Sequence, residues 1–370
     1  MELLHVIGTR PNFVKMAPLI AACRRADPGG RHVVVHTGQH YDHKMSEVFL
    51  EELGVGEPDH MLGVGSGSHA RMLAAVLEGI EPVLAAERPQ MVVVPGDVNS
   101  TLAAALACAH LHIPVCHLES GLRSFDRTMP EEINRVLTDQ LSELLLTHSA
   151  EAEENLVREG IDPARVHLVG NTMIDTLVAL EDRFGAREAA AGLGVEVGSY
   201  LLVTLHRPAL VDGPLLERTV AALNEVATRI PIVFPVHPRT RERLGGLAGS
   251  IEGLHLIDPV GYLDFLSLQA DARAVLTDSG GIQEESTYLG VPCFTLRDNT
   301  ERPVTLTEGT NELLGLDPDR IAEIPERLHG APSGRIEPPP RWDGRASERA
   351  VEVIERHLAG AGRTASAGAA

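Results

Sequence analysis

The chain has 370 residues, more than one typical core accommodates, so two domains of roughly 150–200 residues are expected. Hydrophobic residues make up 44% of it, which excludes a largely disordered chain. A net charge of −20 disfavours nucleic acid or an anionic membrane as the main partner, since either needs a basic face, whereas a phosphorylated small molecule needs only a local arginine cluster.

The apolar run Leu3–Ile7 opens the chain as a strand and leads into "GTRPNFVKMAPL", residues 8–19. Its glycines match neither GxGxxG nor GxxxxGK[ST], so neither familiar phosphate loop is predicted. What remains is a strand end, Arg10, a proline suited to a helix start, and Lys15, one of only two lysines in the chain. Helix amides plus a cation make an anion site. Arg10 and Lys15 are equally read as solvated or salt-bridged.

Further strands are expected at His32–His36, Met91–Pro95, Pro114–Leu118, Leu144–Thr147 and Val166–Val169, with an amphipathic helix over Ala70–Ala86. Asp97 follows one strand and Glu119 another, and "MPEEINRVLTDQ" opens a helix with Pro130 and Glu131. Three carboxylates at strand ends and a helix mouth would raise one another's pKa, which suits acid–base work. Each alone also serves as a cap or dipole partner, and Glu131 with Arg135 forms an i,i+4 pair. His117 and Glu119 match HxE without the PCxxC that a zinc deaminase requires; no metal site is assigned.

The rhythm pauses over Asn171–Ser199, which places the domain boundary near residue 170. A second set of strands follows at Tyr200–Thr204, Ile232–Val236, Leu254–Ile257, Ala274–Thr277 and Pro292–Leu296, with a helix over Leu215–Arg229. Strand–helix alternation argues for parallel sheets covered on both faces. His206 follows the first of these strands, and His237 in "PVHP" follows the second.

"LTDSGGIQEESTYLGVPCFTL" is the strongest signal. Ser279, Gly280 and Gly281 form a tight turn into a helix whose amides favour negative charge, and Glu285 lies one turn further on. There a carboxylate accepts both ribose hydroxyls while the turn holds a pyrophosphate; stabilising the helix dipole is the alternative for Glu284 and Glu285. "LRDNTERP" adds Arg297, Glu301 and Arg302, an arginine for a diphosphate or an internal Glu301–Arg302 contact. The domains are expected at 1–169 and 170–345, with a last helix over 346–360 and a flexible tail at 361–370. Two such domains put a ligand cleft between the carboxyl ends of two sheets. The four cysteines form no CxxC pair and read as buried thiols of a reducing compartment. The N-terminus has no leader pattern and no run is long enough to span a bilayer, so a cytoplasmic location is expected.

In order, "GTRP…K" (8–15), "TGQH" (37–40), "GD" (96–97), "HLESGLRS" (117–124), "PEEINR" (130–135), "VGNTMID" (169–175), "LHR" (205–207), "VHP" (236–238), "DSGGIQEE" (278–285) and "TERP" (300–303) resemble the non-hydrolysing UDP-N-acetylglucosamine 2-epimerase family. The resemblance implies a GT-B fold of two Rossmann-like domains, with the last helix crossing back onto the first. It implies reversible inversion at C2 of UDP-GlcNAc to UDP-ManNAc, without NAD, metal or other cofactor. The implied route is elimination of UDP to 2-acetamidoglucal and re-addition with protonation of the other face.

By positional match Asp97, Glu119, Glu131 and His206 form the acid–base group, with Lys15 near the sugar and diphosphate. Arg10, Ser279, Gly280, Gly281 and Arg302 hold the diphosphate, Glu285 the ribose, and Arg135 joins the substrate-binding set. The family also implies a homodimer and an activating second UDP-GlcNAc, to which Gln39 and His237 would contribute. Asn12 departs from the common glutamate of "GTRPE", "HRPALVD" from "HRREN" and "TERPV" from "TERPE". A related UDP-amino sugar is the alternative substrate, and a GT-B glycosyltransferase using a UDP-sugar donor is the rival activity.

Overall fold

Strand–helix alternation resolves into two parallel α/β units in a computed structural model that describes residues 1–38, 52–211, 213–236, 241, 253–329 and 337–367. One unit comprises Met1–Thr176 with Pro340–Ala370, the other Leu177–Pro339.

The first unit is built on strands β1 (Glu2–Ile7), β2 (Arg31–His36), β3 (His60–Met61), β4 (Met91–Pro95), β5 (Val115–Leu118), β6 (Leu144–Thr147) and β7 (Val166–Leu168). They form one sheet in the order β3-β2-β1-β4-β5-β6-β7, every pairing parallel. Side chains alternate across a strand, so β1 sends Leu3 and Ile7 to one core and Leu4 and Val6 to the other. Helix α1 (Arg10–Ala26) covers the first face; α2 (His69–Glu87) and α3 (Asn99–Leu111) cover the second. Helices α4 (Pro130–Leu141) and α5 (Ala150–Arg158) follow β5 and β6.

The C-terminal helix Ala346–Ala367 also belongs to this unit, and it continues past residue 360, the end expected from sequence. Ala350, Val351, Val353 and Ile354 pack with Leu19, Ile20 and Cys23 of α1 in one core. Asp175, part of the "VGNTMID" motif, caps this helix by accepting from the backbone N–H of Ala346 at 3.0 Å and of Ser347 at 2.6 Å. Trp342, fully buried, donates from Nε1 to the carbonyl of His148 at 3.0 Å.

The second unit holds β8 (Leu201–Thr204), β9 (Ile232–Pro235), β10 (Leu254–Ile257), β11 (Ala274–Thr277), β12 (Cys293–Thr295) and β13 (Asn311–Leu313), all parallel in the order β10-β9-β8-β11-β12-β13. Helices α6 (Leu216–Ala227), α7 (Tyr262–Ala270) and α8 (Gly280–Leu289) are its main cover. Each sheet reverses its strand order once, between β1 and β4 and between β8 and β11. Loops at such switch points diverge and leave a crevice for ligands. No helix among the described residues is long and apolar enough to cross a membrane.

Candidate active site

At the first switch point β1 delivers Gly8 and Thr9 into α1. Asn12 closes this turn, its Oδ1 accepting from the backbone N–H of Gly8 at 3.0 Å and of Thr9 at 3.1 Å. A Cβ on Gly8 would lie 2.6 Å from Ser100 Oγ, so only glycine lets the turn approach the start of α3. Arg10 begins the helix at an exposed position. Lys15, one turn further in, is buried and ion-paired with Glu119.

Glu119 follows β5 with φ +66°, left-handed backbone that non-glycine residues seldom adopt. Holding a glutamate there costs about 1–3 kcal/mol, a strain typical of functional positions. Gly96, at φ +60° after β4, supplies the wall opposite: a Cβ there would lie 3.1 Å from Glu119 Oε2 and 3.3 Å from Lys15 Nζ. The carboxylate, the ammonium and this turn are therefore mutually fitted.

Asp97 is held by Arg135, whose Nε and Nη2 donate to Oδ2 at 3.0 and 2.6 Å. The same guanidinium donates from Nη1 to Glu132 Oε2 at 2.6 Å. The i,i+4 pair of Glu131 with Arg135 does not form; Arg135 takes the i−3 carboxylate instead. Glu132 also accepts from the backbone N–H of Ser124 and Phe125, each at 2.9 Å, and so shapes the loop after Glu119. Glu131 is half-buried, and its carboxylate makes no hydrogen bond or ion pair among the described residues. Arg135, assigned to substrate by resemblance, is thus a buried clamp on Asp97.

His117 joins the loops after β4 and β5. Its Nε2 lies 2.7 Å from the carbonyl of Gly96 and its Nδ1 2.6 Å from Asp139 Oδ1, both ring nitrogens facing acceptors. Arg123 pairs with the other Asp139 oxygen at 2.7 Å. Burial would raise the Asp139 pKa, but His117 and Arg123 hold it below its ordinary value. With both nitrogens engaged, His117 is a brace between β4 and β5 rather than a metal ligand with Glu119.

In the second unit the switch point brings His206, after β8, to Asp278, after β11. His206 Nδ1 lies 2.7 Å from Asp278 Oδ1, while Oδ2 accepts from the backbone N–H of His206 and Arg207 at 2.9 and 2.7 Å. Burial works against the Asp278 charge, yet the hydrogen bonds from His206 and the two amides leave its pKa lowered. The imidazole itself is well exposed, and its Nε2 has no partner among the described residues. Fixing Nδ1 on a carboxylate orients the ring and leaves Nε2 for proton exchange.

Ser279 caps α8, and Gly280 and Gly281 form its first turn. A Cβ on Gly280 would fall 2.4 Å from Arg302 Nη1, so this glycine makes room for the arginine beside the helix amides. Arg302 Nε lies 2.9 Å from Glu284 and Nη1 3.3 Å from Glu301, which also binds Arg297 at 2.5 Å. The Glu301–Arg302 contact is therefore real but buried, one link of a charged network. Glu285 lies buried under Tyr262, whose hydroxyl donates to Oε1 at 2.8 Å. Burial, opposed by that hydrogen bond and reinforced by Glu284, pushes its pKa up to about 7. Gln39 and His237 lie outside the described residues.

Asp278, Asp139, Glu132 and Tyr262 were not singled out from sequence. Asp278 alone carried a readable signal, an acid at a strand end directly before Ser-Gly-Gly. Asp139 and Tyr262 act across pairs distant in sequence, and Glu132 pairs with Arg135 at i+3 where the i,i+4 reading took Glu131.

Two doubly wound parallel units, each with its polar groups at the strand-order reversal, define the GT-B fold class. The family model described as UDP-N-acetylglucosamine 2-epimerase matches residues 22–355. A UDP-N-acetylglucosamine 2-epimerase of Methanococcus maripaludis is 41% identical over 360 residues, covering 94% of this chain and 97% of the relative. A UDP-2,3-diacetamido-2,3-dideoxy-D-glucuronate 2-epimerase of Pseudomonas aeruginosa is 43% identical over 328 residues, covering 87% and 91%. The crystal structure of the Methanocaldococcus jannaschii UDP-GlcNAc 2-epimerase in complex with UDP-GlcNAc and UDP superposes with a TM-score of 0.87 at 40% identity, covering 96% of this chain and all of that one. The chain belongs to the UDP-N-acetylglucosamine 2-epimerase family.

Proposed function

We propose that the protein interconverts UDP-GlcNAc and UDP-ManNAc by inversion at C2. A base removes the C2 proton while the C1–O bond to UDP breaks, giving 2-acetamidoglucal with its C1=C2 double bond. UDP then re-adds to C1 and an acid delivers a proton to the opposite face of C2. The sugar is neither oxidised nor reduced overall. The observation that carries this reading is the buried Lys15–Glu119 pair beside Gly96, a strained carboxylate held next to a cation. Asp97 on its Arg135 clamp, the unengaged Glu131 carboxylate and His206 on Asp278 supply the further proton carriers. Which carboxylate abstracts and which returns the proton follows from isotope exchange in single variants.

The helix start at Ser279–Gly281, with Arg10 and Arg302, is assigned to the diphosphate, whose leaving charge it stabilises. Glu285 is assigned to the ribose hydroxyls. Gln39 and His237 are assigned to an activating second UDP-GlcNAc, and the protein to a cytoplasmic homodimer, in keeping with the family resemblance.

Incubation with UDP-GlcNAc in heavy water tests the reading. Deuterium at C2 of recovered UDP-GlcNAc and UDP-ManNAc is expected. Absence of deuterium together with sugar transfer to an added acceptor would establish the glycosyltransferase instead, and release of free ManNAc a hydrolysing enzyme.

A second substrate reading rests on the Pseudomonas aeruginosa relative, named for a diacetamido uronate and 43% identical to this chain. A UDP-2,3-diacetamido sugar turned over with higher kcat/KM than UDP-GlcNAc would move the substrate to that class while leaving the C2 chemistry intact.

A further inference from the structure

Toward the amino ends of β1 and β2, under α1, lies a group of side chains that the reaction above does not use. Leu3 of β1 pairs with His32 of β2, and His5 with Val34. Strand alternation therefore turns His5 and His32 to the same face as Leu3, Ile7 and Val34, which pack with Cys23 of α1. One ligand-capable atom from each of His5, Cys23 and His32 lies within 4.8 Å of the others. His5 and Cys23 are fully buried and His32 partly so.

The ring nitrogens of His5 and His32 are shielded from solvent; neither His5 nitrogen has a hydrogen-bond partner, while the His32 ring is approached by the backbone of Asp27. Cys23 is a free thiol. A neutral imidazole carries one N–H donor and one lone pair, and each left unmatched in a core costs about 1–3 kcal/mol. Two such rings therefore stand beside one free thiol under α1. Burial and the neighbouring His32 push His5 down to about 3, and burial pushes the Cys23 thiol up to about 12.

We infer that His5, Cys23 and His32 form a binding site for one thiophilic metal ion of the zinc(II) class. Sulfur with two imidazole nitrogens is a donor set that selects zinc or copper(I) over magnesium or calcium. Tetrahedral zinc places its ligand atoms roughly 3.5 Å apart, so the three atoms need to close by about 1 Å. Binding would release the thiol proton, engage one lone pair on each ring and tie α1 to β1 and β2. Asp27 and Glu355 balance Arg24 and the N-terminal ammonium around the cluster, so the Cys23 thiolate is the group that carries part of the metal's charge. The role is structural and independent of the proposed epimerisation.

Cobalt(II) titration of chelator-treated full-length protein tests the site, because thiolate–cobalt charge transfer absorbs in the near ultraviolet. A saturable one-to-one band that zinc displaces is expected in the wild type. It should vanish in Cys23→Ser, weaken at least tenfold in apparent affinity in His32→Gln, and persist in Cys108→Ser and Cys293→Ser. His32→Gln, at a partly exposed strand start, carries the test should Cys23→Ser fail to fold. Zinc should also raise the wild-type melting temperature and leave that of His32→Gln unchanged. No saturable band in the wild type, or a band indifferent to Cys23 and His32, overturns the inference and leaves a water-bridged core pair.

Discussion

Lys15 and Glu119 form an ion pair in which each side chain is only 9% exposed. Removing one partner of a buried pair strands the other charge and costs about 3–5 kcal/mol. Lys15→Met is expected to lose stability on that scale in urea denaturation, and Lys15→Met/Glu119→Gln to recover a large part of it. Glu119→Gln alone keeps the shape but removes a carboxylate proposed to carry a proton. Deuterium incorporation at C2 should fall by about 10²–10⁴-fold, while UDP affinity stays near the wild-type value. Equal loss of both would show that Glu119 serves nucleotide binding.

Gly96→Ala tests the same pair from the opposite wall. The new methyl would stand 3.1 Å from Glu119 Oε2 at a backbone φ of +60°. Left-handed backbone without glycine costs roughly 1 kcal/mol or more, and the carboxylate must move. The variant should fold with a modestly lowered denaturation midpoint yet exchange C2 hydrogen at least tenfold more slowly. Exchange at the wild-type rate would show that the tight fit has no catalytic consequence. Lys15→Arg meets the same wall and should also lose activity, since a planar guanidinium cannot occupy the space of a compact ammonium.

Much of this arrangement was legible in the sequence, because buried parallel strands read as continuous apolar runs. Met91–Pro95, Leu144–Thr147, Leu254–Ile257 and Ala274–Thr277 are strands over the residues their hydrophobicity indicates. The edge strands His60–Met61 and Asn311–Leu313 escaped notice because they are short and partly polar. Asp97, Glu119, His206 and Ser279 were found by a simple rule, a polar residue directly after an apolar strand. Their partners were not. Arg135 lies in sequence beside Glu131, and helix periodicity suggested that pairing. The fold gives Arg135 to Glu132 and to Asp97, 38 positions away. Gly280 also makes room for Arg302, a contact the sequence did not reveal. Long-range pairing depends on strand order, which no local spacing encodes.

Asp278 provides the test of His206. In Asp278→Asn an amide oxygen still accepts the two backbone N–H groups, but the amide nitrogen presents donors to Nδ1. The ring must then carry its proton on Nε2, the wrong tautomer for a base. Loss of tautomer control in a comparable histidine–carboxylate pair costs about 10⁴-fold in kcat, and a fall of at least about 10²-fold is expected here. UDP binding and the denaturation midpoint should change little. A wild-type pH–rate profile in this variant would remove Asp278 from the mechanism.

Glu285 links pH to both stability and ligand affinity. Its folded-state pKa is raised from 4.5 to about 7, so between those values the folded chain holds a proton that the unfolded chain has released. The resulting stabilisation is fully present below pH 4.5 and is lost as pH rises through 7. By that shift it amounts to about 3 kcal/mol. Glu285→Gln should therefore be less pH-sensitive than the wild type, gaining relative stability on going from pH 5 to pH 8 in urea denaturation. Nucleotide binding should move the other way. In the proposed ribose contact an ionised Glu285 would accept hydrogen bonds from both hydroxyls, whereas its protonated form would accept fewer. UDP-GlcNAc affinity of the wild type should rise severalfold through pH 7, with the diphosphate diester itself contributing no titration there. The 2′-deoxy analogue and the Glu285→Gln variant should each flatten that rise. A steep rise retained by the variant would place the titrating group elsewhere and detach Glu285 from the ribose.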